Sequence, residues 1–173
     1  MDKLIAQNEA LQQCFIFHKS QDTLNKTMFL SLAEPGAKIT FDISRHLQHM
    51  PSSHILPDEL WAGIFGGLSG FTATHHQLGN HIVECNEDLT KACVTAKVAA
   101  FHSLEQDGVV SSVTAYVDET MDFEKWQGKW VLRRVMLERS VPLENETLFL
   151  VARENAERGD GRTEASVSAM AEV

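Results

Sequence analysis

Three long stretches in the second half of the chain alternate apolar and polar side chains, and they constrain the fold more than any other feature. The clearest is Thr90–Ser103, where every second residue from Ala92 to Ala100 is Ala or Val. A period of two is the pattern of a strand with one buried face. Val109–Met121 and Trp130–Arg139 follow after short turns, the first of which contains Asp-Gly. We therefore predict an antiparallel meander.

Helical patterns and shorter strands precede this meander. Apolar residues recur with helical spacing over Lys3–His18, a second helix is expected to start at Asp22 as its N-cap, and Pro57–Ala62 has the composition of a helix start. Lys38–Ser44 and Phe71–Cys85 are predicted strands. Helices followed by a meander predict an α+β fold: a cone-shaped, curved antiparallel sheet (an α+β barrel) with the N-terminal helices packed on it. The open end of such a cone suits a small-molecule site.

The length of 173 residues fits one domain with a proper core. We assign residues 1–150 to this domain. Residues 151–173 are rich in Glu, Arg, Gly, Ser and Ala and poor in large apolar groups. We expect them to form a disordered C-terminal tail.

Charge and composition argue against several classes of partner. Twenty-four acidic residues against 15 basic ones give a net charge of -9, so neither nucleic acid nor an anionic membrane surface is expected to bind. No apolar run approaches the roughly 20 residues of a membrane span, and the N-terminus does not resemble a signal peptide. The three cysteines lack the paired spacing of zinc or redox sites. We expect a cytoplasmic protein.

Two adjacent histidines, His75 and His76, lie within the predicted strand Phe71–Cys85 and must point to opposite faces. His76 shares its face with Leu78 and Asn80, a composition typical of a pocket wall. His102 ends the apolar row of Thr90–Ser103. The imidazoles of His76 and His102 can therefore face the same interior, where histidine is suited to move protons near neutral pH. The alternative is a pair of core histidines bonded to backbone carbonyls.

The third strand leaves its orientation open. Tyr116 and Asp118 share one face, and Val113, Ala115 and Val117 share the other. If the polar face lines the cavity, it adds a phenol and a carboxylate to the imidazoles; if it faces solvent, both residues are ordinary strand surface.

Other chemistries receive little support from the sequence. His46, His49 and His54 lie in a segment, predicted as a loop or lid, without a carboxylate at ligand spacing. No nucleophile elbow and no glycine-rich phosphate loop is present. We expect neither a metal nor a cofactor.

Taken in order, these motifs resemble a known family. The N-terminal helix pair, the run Thr74–Asn80, the strand ending in His102 and the closing run Gly128–Arg134 are similar to the SnoaL-like, scytalone dehydratase-like branch of the nuclear transport factor 2 superfamily. The resemblance implies acid/base chemistry without a cofactor on a polyketide or terpenoid-type intermediate, by dehydration, cyclisation or isomerisation. It also implies that His76 and His102 are the acid/base pair.

The resemblance also shows departures from the family pattern. By this resemblance, the family's helix-end tyrosine and aspartate correspond to His18 and Lys19, and its first-strand tyrosine corresponds to Phe41. Because of these differences we do not expect scytalone itself to be the substrate. Tyr116 and Asp118 fall near the family's substrate-binding positions on the third strand.

The sequence thus predicts a small enzyme, a lyase or isomerase, that acts on a small molecule and forms a homodimer or other homo-oligomer. The predicted catalytic residues are His76, His102 and Asp118. The predicted substrate-binding residues are Tyr116, Asn80, His18, Phe41 and Trp61. The rival hypothesis is a non-catalytic binding or dimerisation module of the same fold.

Overall fold

The computed structural model describes residues 1–47 and 50–170, so His49 lies outside the described residues. The helices are α1 (Asp2–Asp22), α2 (Lys26–Leu30), α3 (Pro57–Leu68), α4 (Thr147–Arg158) and α5 (Glu164–Met170). The strands are β1 (Ile39–Arg45), β2 (Ser53–Ile55), β3 (Ala73–Cys85), β4 (Lys91–Gln106), β5 (Val109–Trp126) and β6 (Lys129–Arg139). Among these, no helix has both the length and the apolar character needed to cross a bilayer.

All six strands form one sheet in the order β2-β1-β6-β5-β4-β3. The β3–β6 meander is antiparallel, and β1 joins β6 in parallel. The α+β prediction is confirmed, with a curved sheet that keeps two free edges rather than closing into a barrel.

The core lies between α1 and the inner face of the sheet. On α1 the buried residues Ala6, Ala10, Cys14 and Phe17 recur every three or four positions, as on one face of a helix. On β4 the predicted alternation holds from Ala92 through His102. These small side chains let the helix lie close to the strands.

The first helix is longer than the sequence pattern predicts. Helix α1 continues to Asp22, and the N-cap of α2 is Asn25, whose side-chain oxygen accepts a hydrogen bond from the Met28 backbone N–H at 2.7 Å. The carboxylate of Asp22 is bonded to β3 and is not a helix cap.

A β-bulge corrects the predicted face of β3. The pairing of β3 with β4 shifts between Gly79 and Ile82, and Asn80 adopts a left-handed backbone with φ of 49°. An extra residue in a strand reverses the alternation beyond it. His76 and Leu78 therefore face inward as predicted, whereas Asn80 is exposed and Ile82 is 62% exposed.

The prediction of a disordered tail is corrected by α4 and α5. Ala152 on α4 is completely buried beside Phe71 on the sheet side. A Cβ added to Gly70 would lie only 1.6 Å from the Ala152 carbonyl oxygen, so glycine permits this close approach. The contact needs small residues rather than large apolar ones, which is why composition did not reveal it.

Candidate functional site

An inner cavity of about 150 Å³ lies between α1, the concave face of the sheet and α4. Its lining combines apolar walls with ionisable side chains. It is lined by Phe17, His18, Gln21, Phe41, His46, Ile64, Leu68, His76, Val98, Ala100, His102, Ala115, Val117, Glu119, Leu137 and Phe149.

Asp22 and His76 form a pair in this site that is held by several hydrogen bonds. One Asp22 oxygen lies 2.7 Å from His76 Nδ1 and also accepts a hydrogen bond from the Thr74 hydroxyl at 2.9 Å. The other accepts from the His76 backbone N–H at 2.9 Å. Burial by itself raises the pKa of Asp22, but the hydrogen bonds and charge of His76, with the Thr74 bond, lower it to about 2. Asp22 is therefore ionised, and it fixes the orientation of the imidazole.

His102 lies beside this pair in an aromatic setting. Its ring centroid is 5.7 Å from that of His76, 4.9 Å from Phe71 and 5.0 Å from Phe149. Only 3% of the residue is exposed. Burial, together with the neighbouring His76, lowers the pKa of His102 to about 3. His102 is therefore a neutral imidazole near pH 7, which has one N–H donor and one acceptor.

A second imidazole–carboxylate pair lies close to the first. His18 Nε2 is 2.8 Å from Glu119 Oε2, and both residues are buried. The ring of His18 is 5.2 Å from that of His76. Sequence reasoning missed Glu119, although the inward row of Val113, Ala115 and Val117 leads directly to it.

Four polar atoms on the cavity lining are buried and lack a hydrogen-bond partner within the described part of the chain. They are His18 Nδ1, His46 Nδ1, His102 Nδ1 and Glu119 Oε1. His46 is also neutral, because burial and then Arg139 lower its pKa to about 4. Unpaired buried polar groups are costly, and they commonly mark a functional site. The cavity therefore suits a ligand with several hydrogen-bonding groups.

Three of the site residues also border the surface. His18, Asp22 and His76 line an outer groove of about 350 Å³ that α1 forms with β3, together with Phe15, Lys19, His75, Gln77 and Leu78. The imidazoles thus stand where the groove and the inner cavity meet.

Two predicted residues of β5 lie on the wrong face for the site. Tyr116 is 51% exposed, and Asp118 points outward to Lys97 and the Ser140 hydroxyl. Those two bonds, the lysine first, lower the pKa of Asp118. Both assignments to the cavity are corrected, because the apolar row of β5 is the buried one.

The other predicted residues divide between the cavity, the core and the surface. Phe41 and His18 line the cavity. Trp61 packs in the core against Phe29, with ring centroids 5.3 Å apart. Asn80 lies exposed on the bulge. The expected correspondence between the family's helix-end acid and Lys19 is also corrected, because Lys19 is exposed and Asp22 is the acid on α1 that reaches β3.

One group of possible metal ligands is found within the described residues. Donor atoms of Cys14, His18 and Glu119 lie within 4.8 Å of one another. Burial, followed by the charge of Glu119 and its hydrogen bond, raises the pKa of the Cys14 thiol. The protonated thiol donates a hydrogen bond to Glu119 Oε2 at 3.6 Å. The group is better described as a hydrogen-bonded histidine–carboxylate pair beside a thiol.

A larger depression, of about 500 Å³, lies at the far ends of the strands. Its Arg133 is paired with Glu124 and Glu34, and its Asp122 is paired with Arg134. Charges that are already paired on an open surface offer little for catalysis. We therefore place the candidate site at the smaller histidine-lined cavity.

Similar structures share this fold at low sequence identity. They include the Kfla4162 protein from Kribbella flavida, with 20% identity and a TM-score of 0.74 over 87% of this chain and 99% of that one. A candidate scytalone dehydratase from Novosphingobium aromaticivorans has 17% identity and a TM-score of 0.61 over 80% and 87%. The hexachlorocyclohexane dehydrochlorinase LinA-type3 from Novosphingobium barchaimii has 13% identity and a TM-score of 0.63 over 84% and 94%.

Among curated proteins, no sequence matches this chain closely enough to count as a relative. The family model of the SnoaL-like domain matches residues 36–136, more than half of the chain. This match agrees with the curved sheet and with the fold of the similar structures. The chain belongs to the SnoaL-like domain family.

Proposed function

We propose that this protein is a cofactor-independent lyase or isomerase that removes a proton alpha to a carbonyl group and expels or relocates a neighbouring group. The observation that carries the proposal is the Asp22–His76 pair at the edge of a cavity that also contains His102. A carboxylate, an oriented imidazole and a second imidazole are the parts that general acid/base catalysis needs.

The tautomer of His76 follows from its carboxylate partner. An ionised Asp22 only accepts hydrogen bonds, so the neutral imidazole donates Nδ1–H to it and carries its lone pair on Nε2. In the proposed reaction Nε2 takes the proton from carbon, and the negative charge of Asp22 stabilises the imidazolium that forms.

The electrons of the broken C–H bond form the new double bond as the group on the β carbon leaves. If that group is a hydroxyl, it must receive a proton and depart as water. We assign delivery of that proton to the His18–Glu119 pair, whose hydrogen-bonded atoms lie 2.8 Å apart in the lining of the same cavity. Neutral His102 can donate an N–H to the developing enolate oxygen.

The cavity also restricts the substrate class. Its volume of about 150 Å³ is below the roughly 300–1,000 Å³ of pockets that enclose drug-sized ligands. A molecule of about one ring fits this space better than a fused polyketide, and the unpartnered polar atoms favour an oxygenated compound. Dehydration, cyclisation and isomerisation of a small polyketide or terpenoid-type intermediate all begin with the same proton removal.

Relatives in fold support an elimination. One is a candidate scytalone dehydratase and another a dehydrochlorinase. Both names describe loss of a small group from a carbon skeleton, water in one case and hydrogen chloride in the other. The four unpartnered polar atoms favour loss of water here.

The test is turnover of 3-hydroxycyclohexanone and related single-ring β-hydroxy ketones, followed by the ultraviolet absorbance of the conjugated enone. We expect enone formation that depends on the protein. The rival binding module would bind these ketones, as measured by calorimetry, without forming enone or exchanging their alpha protons with deuterated water. The expected homodimer or other homo-oligomer is tested separately by light scattering.

A further inference from the structure

A C-terminal arginine lies behind the Asp22–His76 pair, well outside the matched domain. Arg162 is half-buried, and its Nη2 donates to the Leu68 carbonyl at 3.0 Å and to the Thr74 hydroxyl oxygen at 3.2 Å. The Thr74 hydroxyl in turn donates to Asp22 Oδ1 at 2.9 Å. A continuous chain of hydrogen bonds therefore joins Arg162, Thr74, Asp22 and His76.

The direction of each bond gives this chain its effect. A hydroxyl that accepts from a cation becomes a stronger donor, because hydrogen bonds in series polarise one another. The guanidinium has only donors. Thr74 must therefore use its single proton on Asp22, which fixes the carboxylate oxygen that faces His76.

The backbone around Arg162 is tied to the body of the protein. Its N–H donates to the Ser69 carbonyl at 2.6 Å. A Cβ on Gly161 would lie 3.1 Å from the same oxygen, so the segment packs closely there. On the other side of Arg162, Glu164 accepts a hydrogen bond from Asn25 at 2.7 Å. The guanidinium is thus held in place rather than attached to a free end.

We propose that Arg162 is a positioning residue of the candidate active site, which acts through Thr74 to hold the Asp22 carboxylate against His76. The proposal rests on the proposed function, since it assigns Arg162 to the same site. It extends the site, which already includes residues of α1 and α4, to the C-terminal segment that follows α4. Removal of Arg162 is expected to weaken the proton-accepting pair while leaving the sheet intact.

Several charged or titratable groups surround Asp22, and the test must separate them. They are Lys19 and His18 on α1, His76 on β3, His102 on β4 and Arg162 on the C-terminal segment. Loss of the Arg162 charge and loss of its hold on Thr74 both favour the protonated carboxyl. Both effects therefore change the Asp22 pKa in the same direction, which makes Asp22 the appropriate group to measure.

The experiment is carbon-13 NMR titration of the Asp22 carboxyl in the full chain. We expect Arg162→Gln to raise the Asp22 pKa from about 2 towards the ordinary range. Arg162→Lys should raise it less, because lysine keeps the positive charge but lacks the planar guanidinium that bonds Leu68 and Thr74. The matched control is Arg153→Gln, since Arg153 is exposed on α4 and paired with Glu157. An unchanged Asp22 pKa in Arg162→Gln overturns the proposal.

Two further variants keep the test decisive. If Arg162→Gln does not fold, Arg162→Lys carries the test, and an Asp22 pKa equal to that of the wild type overturns the proposal. In a Thr74→Val background the effect of Arg162→Gln should shrink, because the connecting hydroxyl is gone. An effect of full size there contradicts transmission through Thr74. None of these measurements uses turnover. The role of Arg162 can therefore be refuted while the proposed function holds, and the proposed function can be refuted while the role of Arg162 holds.

Discussion

Replacement of Asp22 by Asn is the most informative test of the Asp22–His76 pair, because the structure gives both the size and the sign of the expected change in stability with pH. The pKa of Asp22 falls from an ordinary 3.8 to about 2 in the folded protein. At about 1.4 kcal/mol per pKa unit, this difference corresponds to a pH-dependent stabilisation on the order of 2 kcal/mol. Since the folded pKa is the lower one, the stabilisation is present above pH 4 and is lost as the pH falls towards 2.

The assay is urea unfolding of the wild type and Asp22→Asn at intervals from pH 6 to pH 2. We expect the difference in unfolding free energy between the two proteins to decrease by about 2 kcal/mol over that range. Asp2→Asn is the control, since Asp2 is an exposed carboxylate at the start of α1, far from His76 in the sequence. If the unfolding free energies of the wild type and Asp22→Asn depend on pH identically, the account of the Asp22–His76 pair is wrong.

The Asp22→Asn variant should also lose roughly 10²–10⁴-fold in turnover, because the His76 imidazole is no longer oriented and its cation is no longer stabilised.

Three other changes test different parts of the account. Gly70→Ala should destabilise the protein by about 1–3 kcal/mol in urea unfolding, because the new Cβ would collide with the Ala152 carbonyl oxygen on α4. The control Gly67→Ala meets no atom within 4 Å and should not destabilise the protein. Equal stability of the two variants would contradict the packing of α4. Glu119→Gln should keep the fold but lower turnover roughly tenfold or more, as read from initial rates; full activity would remove Glu119 from the mechanism. Tyr116→Phe should change neither kcat nor KM, because Tyr116 lies on the outer face; a large loss would restore it to the site.

The meander was predictable because each long strand has one uniformly apolar face. On β4 the Ala and Val residues from Ala92 to Ala100 specify the buried side without ambiguity, and His102 follows in the same register. On β5 the same rule predicts the buried face correctly, since Val113, Ala115 and Val117 form the buried row. The sequence hypothesis nevertheless assigned Tyr116 and Asp118 to the site, because they fall near the substrate-binding positions of the family it resembles.

Three features were not accessible from local patterns. The bulge that turns Asn80 outward depends on pairing with β4, which a single strand does not encode. The role of Asp22 depends on where the end of α1 meets β3, a contact between distant residues. The docking of α4 depends on the absence of a side chain at Gly70. Each was decided by tertiary contact rather than by propensity or period.

The central claim is that His76, and not its neighbour, is the proton acceptor. The most direct measurement compares kcat/KM for elimination in His76→Gln and His75→Gln. His76 is bonded to Asp22 and lines the inner cavity, whereas His75 is exposed on the outer side of the same strand. We predict a loss of about 10²-fold or more for His76→Gln and wild-type activity for His75→Gln. Equal losses in the two variants, or full activity in His76→Gln, would contradict the account.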